Sequence, residues 1–490
     1  MNAIIPFPTE LRPALPTIVG NVDYLQFRQR LEQIDQILLR SGVEHAFVLQ
    51  ALQAWLRAGQ AAAQEQQKFQ RRARRALRCH LLRTLLQEDL RSFTCALAGN
   101  PLYQWFCGID ALDKVQVPSK SELQRFAVMI DASRMRSLID GLLQAALQKP
   151  TALNLENPLT LDDYFLDTTC LKANIHFPVD WVLLRDATRT LMKAVALIRT
   201  EGLKERMESP EGFLTRINRL SIEMTHARRK RESKKERKRV LRQMKKLIKV
   251  VERHARRHRD LLDREWKETS WTRPQAEQVL RRIDGVVELL PQARKQAHER
   301  IIGERLVPNA EKILSLYETD TRVVVRGKAG AEVEFGNTLL LAENGDGLIL
   351  DYHLFQEQAP GDSQMLMESL ERLPAGVAQQ IKAVGGDRGF SSKSNTAGLE
   401  KAEKFNGICP KSPVEMKERM KEERFVNLQK RRSQTEARIS ILQRGFLGRP
   451  LRAKGYPNRE LAVAWGVLTH NLWKLAQLGK EERAKAARAA

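Results

Sequence analysis

Three acidic residues stand where acids are costly or unusual: Asp167, Asp387 and Glu436. Asp167 lies inside YFLDTTCL (164–171), with Phe165, Leu166 and Cys170 around it. A carboxylate in such a run needs a hydrogen-bond partner, a cation or a metal ion. Asp387 follows a short apolar stretch in the Gly-rich KAVGGDRGF (382–390), and Glu436 lies in a long charged segment. Three carboxylates brought together repel, by up to ~4 kcal/mol per pair at 4 Å and an effective dielectric of 20. A hard divalent cation relieves that repulsion, and all-oxygen ligation suits Mg²⁺ or Mn²⁺. Two such ions, about 4 Å apart, can activate a water or a 3′-hydroxyl and stabilise the leaving oxygen of a phosphodiester. Asp167 taken alone has a plainer reading, a hydrogen bond to Thr168, Thr169 or a nearby turn. Asp351 and Asp362 compete for the same chemistry, and both also read as turn residues. Arg388, directly after Asp387, reads either as a salt bridge within the loop or as a phosphate ligand. His353, His470, Trp465 and Trp473 read as core.

The elements that must position these residues follow from the pattern. Four prolines (Pro6, Pro8, Pro13, Pro16) make residues 1–20 an extended arm. From 21 to 150 apolar residues recur at helical spacing, as in Leu25, Phe27, Leu31, Ile34 and Leu38. Gln67–Arg83 is a basic helix. Ser119 and Glu122, just after Pro118, form an S-x-x-E cap ahead of an apolar run. With the preceding NPLYQWFCG this resembles a helix-turn-helix, which would serve DNA reading or plain packing. Polar TALNLENPLTLD (151–162) is a linker, and 164–171 a buried strand. Residues 181–300 are helical again. TRVVVRG (321–327), AEVEFG (331–336) and the run 337–355 read as strands, with a hairpin at Asn344-Gly345-Asp346-Gly347. A helix (363–373), two short strands (382–390 and 405–410), a charged helix (414–444) and an apolar helix (459–478) follow.

Lys and Arg number 83 against 59 Asp and Glu, a net charge of +24 in 490 residues. Hydrophobic residues make up 42%, which excludes wholesale disorder. The excess charge calls for a polyanionic partner, nucleic acid or an anionic membrane. No run approaches about 20 apolar residues, so no transmembrane helix is expected and nucleic acid is favoured. Five scattered cysteines without zinc spacing fit a reducing cytoplasm, and the opening MNAIIPFPTELRPALP does not read as a signal peptide. The densest charge is HARRKRESKKERKRVLRQMKKLIKVVERHARRHRD (226–260), where an apolar stripe of Val240, Leu241, Met244, Leu247, Ile248 and Val251 opposes a Lys/Arg field. Glu232, Glu236 and Glu252 are too few to balance that field locally. Arg228, Arg229, Lys234, Lys235, Arg237 and Lys238 are therefore candidate duplex contacts. The competing readings are a dimer arm and a solvated helix face.

FLDTTCLKANIHFPVD (165–180), RGKAGAEVEFG (326–336), GDRGF with SSKSN (386–395) and RRSQTEARISILQRGF (431–446), in this order, resemble the DDE transposases of bacterial insertion sequences. The resemblance implies an α/β RNase H-like catalytic core of mixed sheet and flanking helices, at 151–180 and 311–480. An N-terminal all-helical domain (21–150) would recognise DNA ends, a basic helical insertion would occupy 181–310, and 481–490 would be a frayed tail. It makes Asp167, Asp387 and Glu436 the catalytic carboxylates and the ligands of Mg²⁺ (or Mn²⁺), two ions in all. Asn174 and Asp180 match the stretch that shapes the site. Arg432 fits the family's pattern around the last carboxylate. The Tyr and Lys positions of one large branch are Gln429 and Gln443 here, with Arg444 one residue beyond. Arg326, Lys328, Arg388, Arg432 and Arg444 are further candidate DNA contacts. The implied activity is binding of terminal inverted repeats, metal-dependent nicking and joining of the freed 3′-hydroxyl to target DNA, by a homodimer or higher assembly on double-stranded DNA and with no membrane. The alternatives are an RNase H-like nuclease that cuts without joining, and a non-catalytic DNA-binding protein derived from a transposase.

Overall fold

A computed structural model describes residues 12, 14–57, 59, 62–109, 114–155, 159–227, 232–328, 331–448 and 451–489, with backbone alone at 326–328, 331 and 480–489. The chain forms two compact units: Met1–Leu171, Thr338–Phe355 and Ala359–Ala490 in the first, Lys172–Asn337 and Gln356–Gln358 in the second.

Among the described residues, seven helices open the first unit: α1 (Val22–Arg40), α2 (Val43–Leu56), α3 (Ala63–Leu86), α4 (Leu90–Gly99), α5 (Pro101–Cys107), α6 (Lys120–Ala127) and α7 (Ala132–Gln148). Their starts are written in the sequence. Asn21, Asp89, Asn100, Ser119 and Asp131 each accept a backbone N–H of the first turn. Only half of the expected cap at α6 forms, because Glu122 turns to Arg72 instead, 3.5 Å away. The basic helix α3 is less of a surface than its composition suggests. Arg78 is fully buried and donates to Asp35 at 2.6 Å, to the Phe106 carbonyl at 3.0 Å and to Glu44. These helices do not close a core of their own. One apolar cluster runs from Leu31 through Leu82 and Leu142 to Tyr164, Leu350, Trp465 and Leu472. The segment expected to be a separate domain at 21–150 thus shares its interior with the sheet.

The sheet holds β1 (Asp163–Lys172), β2 (Arg322–Lys328), β3 (Ala331–Asn344), β4 (Ile349–Leu354), β5 (Ala383–Gly386) and β6 (Phe405–Ile408). It is an open, mixed sheet of an α/β fold. In the first unit the order is β4-β3-β1-β5-β6, with β5 parallel to β1 and β6 parallel to β5. In the second, β2 pairs antiparallel with the start of β3. The runs expected as separate strands at 331–336 and 337–343 are one long strand. The hairpin falls where Asn344-Gly345-Asp346-Gly347 placed it, and Gly347 takes the positive φ of 87° that the turn needs.

Helices α12 (Asp362–Glu371) and α13 (Ala375–Ala378) separate β4 from β5, and α14 (Lys393–Lys401) separates β5 from β6. The charged stretch expected as one helix is two, α15 (Pro413–Arg419) and α16 (Glu423–Leu442). Helix α17 (Tyr456–Ala489) extends the expected apolar helix in both directions, through the segment expected to fray.

The second unit is built on α8 (Asp180–Thr200), α9 (Pro210–Ala227), α10 (Ser233–Glu265) and α11 (Arg273–Ala297). Leu184, Leu191, Ile217, Val240, Met244, Ile248 and Leu290 form its core. Its boundaries, after Leu171 and Asn337, take in β2 and half of β3, which were expected to belong to the catalytic core.

Candidate active site

Side chains alternate along β1, so Phe165, Asp167 and Thr169 share one face. That face meets α16 at two points. Phe165 clusters with Leu428, and the Arg431 guanidinium lies 4.9 Å over its ring. Thr169 accepts from Gln443 Nε2 at 3.1 Å. Asp167 is midway between Phe165 and Thr169, and Glu436 is close to midway between Leu428 and Gln443. The helical period also puts Gln429, Arg432, Glu436 and Gln443 on one stripe. Gln429 at the head of the stripe donates to the Gly407 carbonyl at 2.6 Å. The two glutamines that depart from the Tyr and Lys pattern therefore fasten this stripe to the strands.

A flank of α16 is held by a buried acid. Glu343 of β3 is 2% exposed and accepts from Arg431, Thr435 and Arg438, each at 3.0 Å. This cluster sets the roll of the helix that carries Glu436.

Asp387 directly follows β5 and caps the next turn, its Oδ1 accepting from the Gly389 N–H at 2.8 Å. β5 can lie against β1 because Gly385 has no Cβ, which would stand 2.7 Å from the Phe165 ring. Gly389 permits a second close approach. A Cβ there would stand 2.6 Å from Asp362 Oδ2 and 3.0 Å from Asp387 Oδ1. Asp362 also accepts from Thr168 Oγ1 at 3.2 Å. Asp362 is thus a fourth acid at this end of the sheet. The APGD turn at 359–362 hid it, because an Asp after Pro-Gly has a local explanation. Asp351, its competitor, is instead fully buried between Arg136, Arg372 and Ser369 and serves the core.

The carboxylates act on one another. Burial first, then the negative charges of Asp387 and Glu436, push the Asp167 carboxyl up to about 6, against the pull of the Thr168 N–H and the Arg432 guanidinium. In the window between its ordinary value of 3.8 and about 6, the folded chain binds a proton that the unfolded chain does not. Stability from this group is therefore full below the lower value and falls as pH rises through the upper one, by on the order of 2–3 kcal/mol. Asp167→Asn is expected to melt higher than the parent at pH 7.5 in EDTA and level with it near pH 4. An equal shift at both pH values would disprove the coupling.

The donors here are all oxygen, which fits a hard divalent cation in kind. Among the described residues no three His, Cys, Asp or Glu side chains form a group that could hold a metal ion.

The other expected site residues differ in exposure and pairing. Arg388 and Arg444 are exposed and Arg432 is half-buried. Arg326 and Lys328 are on β2, their side chains outside the described residues, as are Arg228 and Arg229 entirely. Asp180 has partners within its own unit. It is held by Arg300 at 2.8 Å and Gln296 at 2.9 Å in the second unit. Lys234 and Lys238 both pair with Glu304, and Lys235 with Glu232, while Arg237 is half-buried. The acids that balance the start of the basic helix come partly from distant sequence, so counting local glutamates overstated its free charge.

One feature had no sequence signal. A cavity of about 1060 Å³ opens in the first unit between α3, α6 and the segment after α16. Arg83, Arg91, Lys120, Arg444, Arg452 and Lys454 line it, over an apolar floor that includes Phe446 and Trp465.

No family model, curated protein or solved structure matches this chain.

Proposed function

We propose that the protein is a metal-dependent DNA-strand transferase, a transposase of the DDE type with an RNase H-like core. The observation that carries this reading is where the fold puts the three acids: Asp167 on β1, Asp387 directly after β5, which pairs parallel with β1, and Glu436 on α16, which packs on β1 through Leu428 and Phe165. The strand order supports it. A central β1 bears the first acid, an antiparallel β3-β4 hairpin flanks it on one side, and parallel β5 and β6 on the other.

Asp167, Asp387 and Glu436 would hold Mg²⁺ or Mn²⁺. When bound, the cation supplies Lewis-acid polarisation of a phosphate oxygen and makes a water or 3′-hydroxyl nucleophilic at neutral pH. Arg432 draws Asp167 toward its charged, ligating form. Arg388 beside Asp387, and Arg444 with the other cations of the cavity, would offer positive charge to a phosphodiester backbone. Hydrolysis and joining are both in-line displacements at phosphorus, so one site serves both. Joining two ends calls for at least two protomers on the DNA.

The test is incubation of purified protein with a duplex bearing the ends of its own element, a target duplex and Mg²⁺, resolved on a denaturing gel. Nicked strands and longer joined strands, both lost in EDTA, are the expected products. Cleavage without joined strands would mark a nuclease. Binding without either would mark a non-catalytic DNA-binding protein.

A further inference from the structure

We propose that the exposed edge of α10 is a binding surface for duplex DNA, made by Arg242, Lys246, Lys249, Arg253 and Arg257 and not by the denser cluster at the start of the helix. The argument rests on charge pairing in the second unit and is independent of the carboxylate site.

The five residues are spaced four, three, four and four apart, so they form one row along the helix. All five are exposed, and none makes an ion pair or a side-chain hydrogen bond among the described residues. Most of the cations before and after the row are paired with acids. Toward the start, Lys234 and Lys238 sit 2.9 and 2.7 Å from Glu304, and Arg239 meets Glu236 at 2.7 Å. Glu304 is held down at about 2 by those two lysines. On the flank and toward the end, Arg256 pairs with Glu252, and Arg259 with Asp263 and Asp284. Like charges three and four apart oppose helix formation. Along this row the repulsion is relieved by no ion pair among the described residues.

The row selects its partner by shape. One cation per turn, about 5.4 Å apart, makes a line about 22 Å long. A compact anion could touch only one or two of these groups at once. A linear polyanion can touch all five, and a duplex carries a charge every ~1.7 Å along a stiff axis. An anionic bilayer is the other extended polyanion. Helices that bind bilayers insert apolar side chains beside their cations. The apolar residues of α10, Val240, Leu241, Met244, Ile248 and Val251, are instead buried in the unit's own core.

The test uses the full chain in EDTA, so that cleavage plays no part, and a labelled 30-base-pair duplex of arbitrary sequence titrated across a salt series. The variant with all five residues changed to Gln is expected to flatten the slope of log affinity against log salt by about 4–5, at ~0.9 per phosphate contact. Lys234→Gln, Lys235→Gln and Lys238→Gln combined should change it by about one or less. Single changes at Lys249 and Arg253, each expected to remove about one unit, serve if the five-fold variant does not fold. An unchanged slope in the five-fold variant or the singles, or a larger loss in the Lys234/Lys235/Lys238 variant, would overturn the proposal. So would binding to phosphatidylserine vesicles, dependent on the row, with none to the duplex. Retained duplex binding by a cleavage-dead Asp387→Asn protein, still dependent on the row, would separate this surface from the fate of the catalytic reading.

Discussion

Asp167→Asn, Asp387→Asn and Glu436→Gln are each expected to lower Mg²⁺-dependent cleavage of an end-bearing duplex by more than about 100-fold. Loss of a residue that only supports a metal ligand costs about 10–100-fold, and loss of a ligand itself should cost more. Duplex affinity in EDTA should stay near that of the parent, because none of the three changes removes a cation. Asp362→Asn is the informative comparator. Its carboxylate stands beside Asp387 across Gly389 and accepts from Thr168. A loss as deep as that of Asp387→Asn would make it a ligand, and a loss of about tenfold a supporting residue. Near-normal cleavage by any of the three principal variants would remove that residue from the catalytic set.

Glu343→Ala is expected to destabilise the protein by about 3 kcal/mol or more, and to depress cleavage although Glu343 is no part of the acid set. Breaking a buried ion pair by removing one partner costs about 3–5 kcal/mol, because the other charge is left uncompensated. Here two guanidinium groups, Arg431 and Arg438, lose the same partner. Both are partly exposed, so the lower end of the range applies. The urea midpoint should fall. Cleavage measured well below that midpoint should fall too, since the roll of α16 is no longer fixed. Glu343→Gln keeps an acceptor for Thr435 and should recover part of both losses. A variant as stable as the parent would show that the two arginines are satisfied without Glu343.

The site was legible in part because burial penalises charge whatever the fold. An Asp between Phe165, Leu166 and Cys170 must be offset by a partner nearby, and that follows from the residue types alone. Asn344-Gly345-Asp346-Gly347 was equally legible, since positive φ is a local demand on the backbone. The helix start at Ser119 was legible for the same reason: a cap bonds to residues two or three away.

What the sequence alone determined is therefore local: periodicity, turns, caps, the excess of cations and the oddity of three acids. What only the tertiary structure decided is pairing across long separations. Glu304 pairs with both Lys234 and Lys238 from some seventy residues away. Asp35 and Glu44 absorb Arg78, so a helix that counts as basic contributes part of its charge to the interior. Asp351 and Asp362 look alike as strand-end and turn acids, yet one is locked between two arginines and the other faces Gly389. The physical reason is that the cost of a charge depends on its burial and on the sign of its nearest neighbours in space. Composition records how many charges there are, and only the folded chain settles which of them meet.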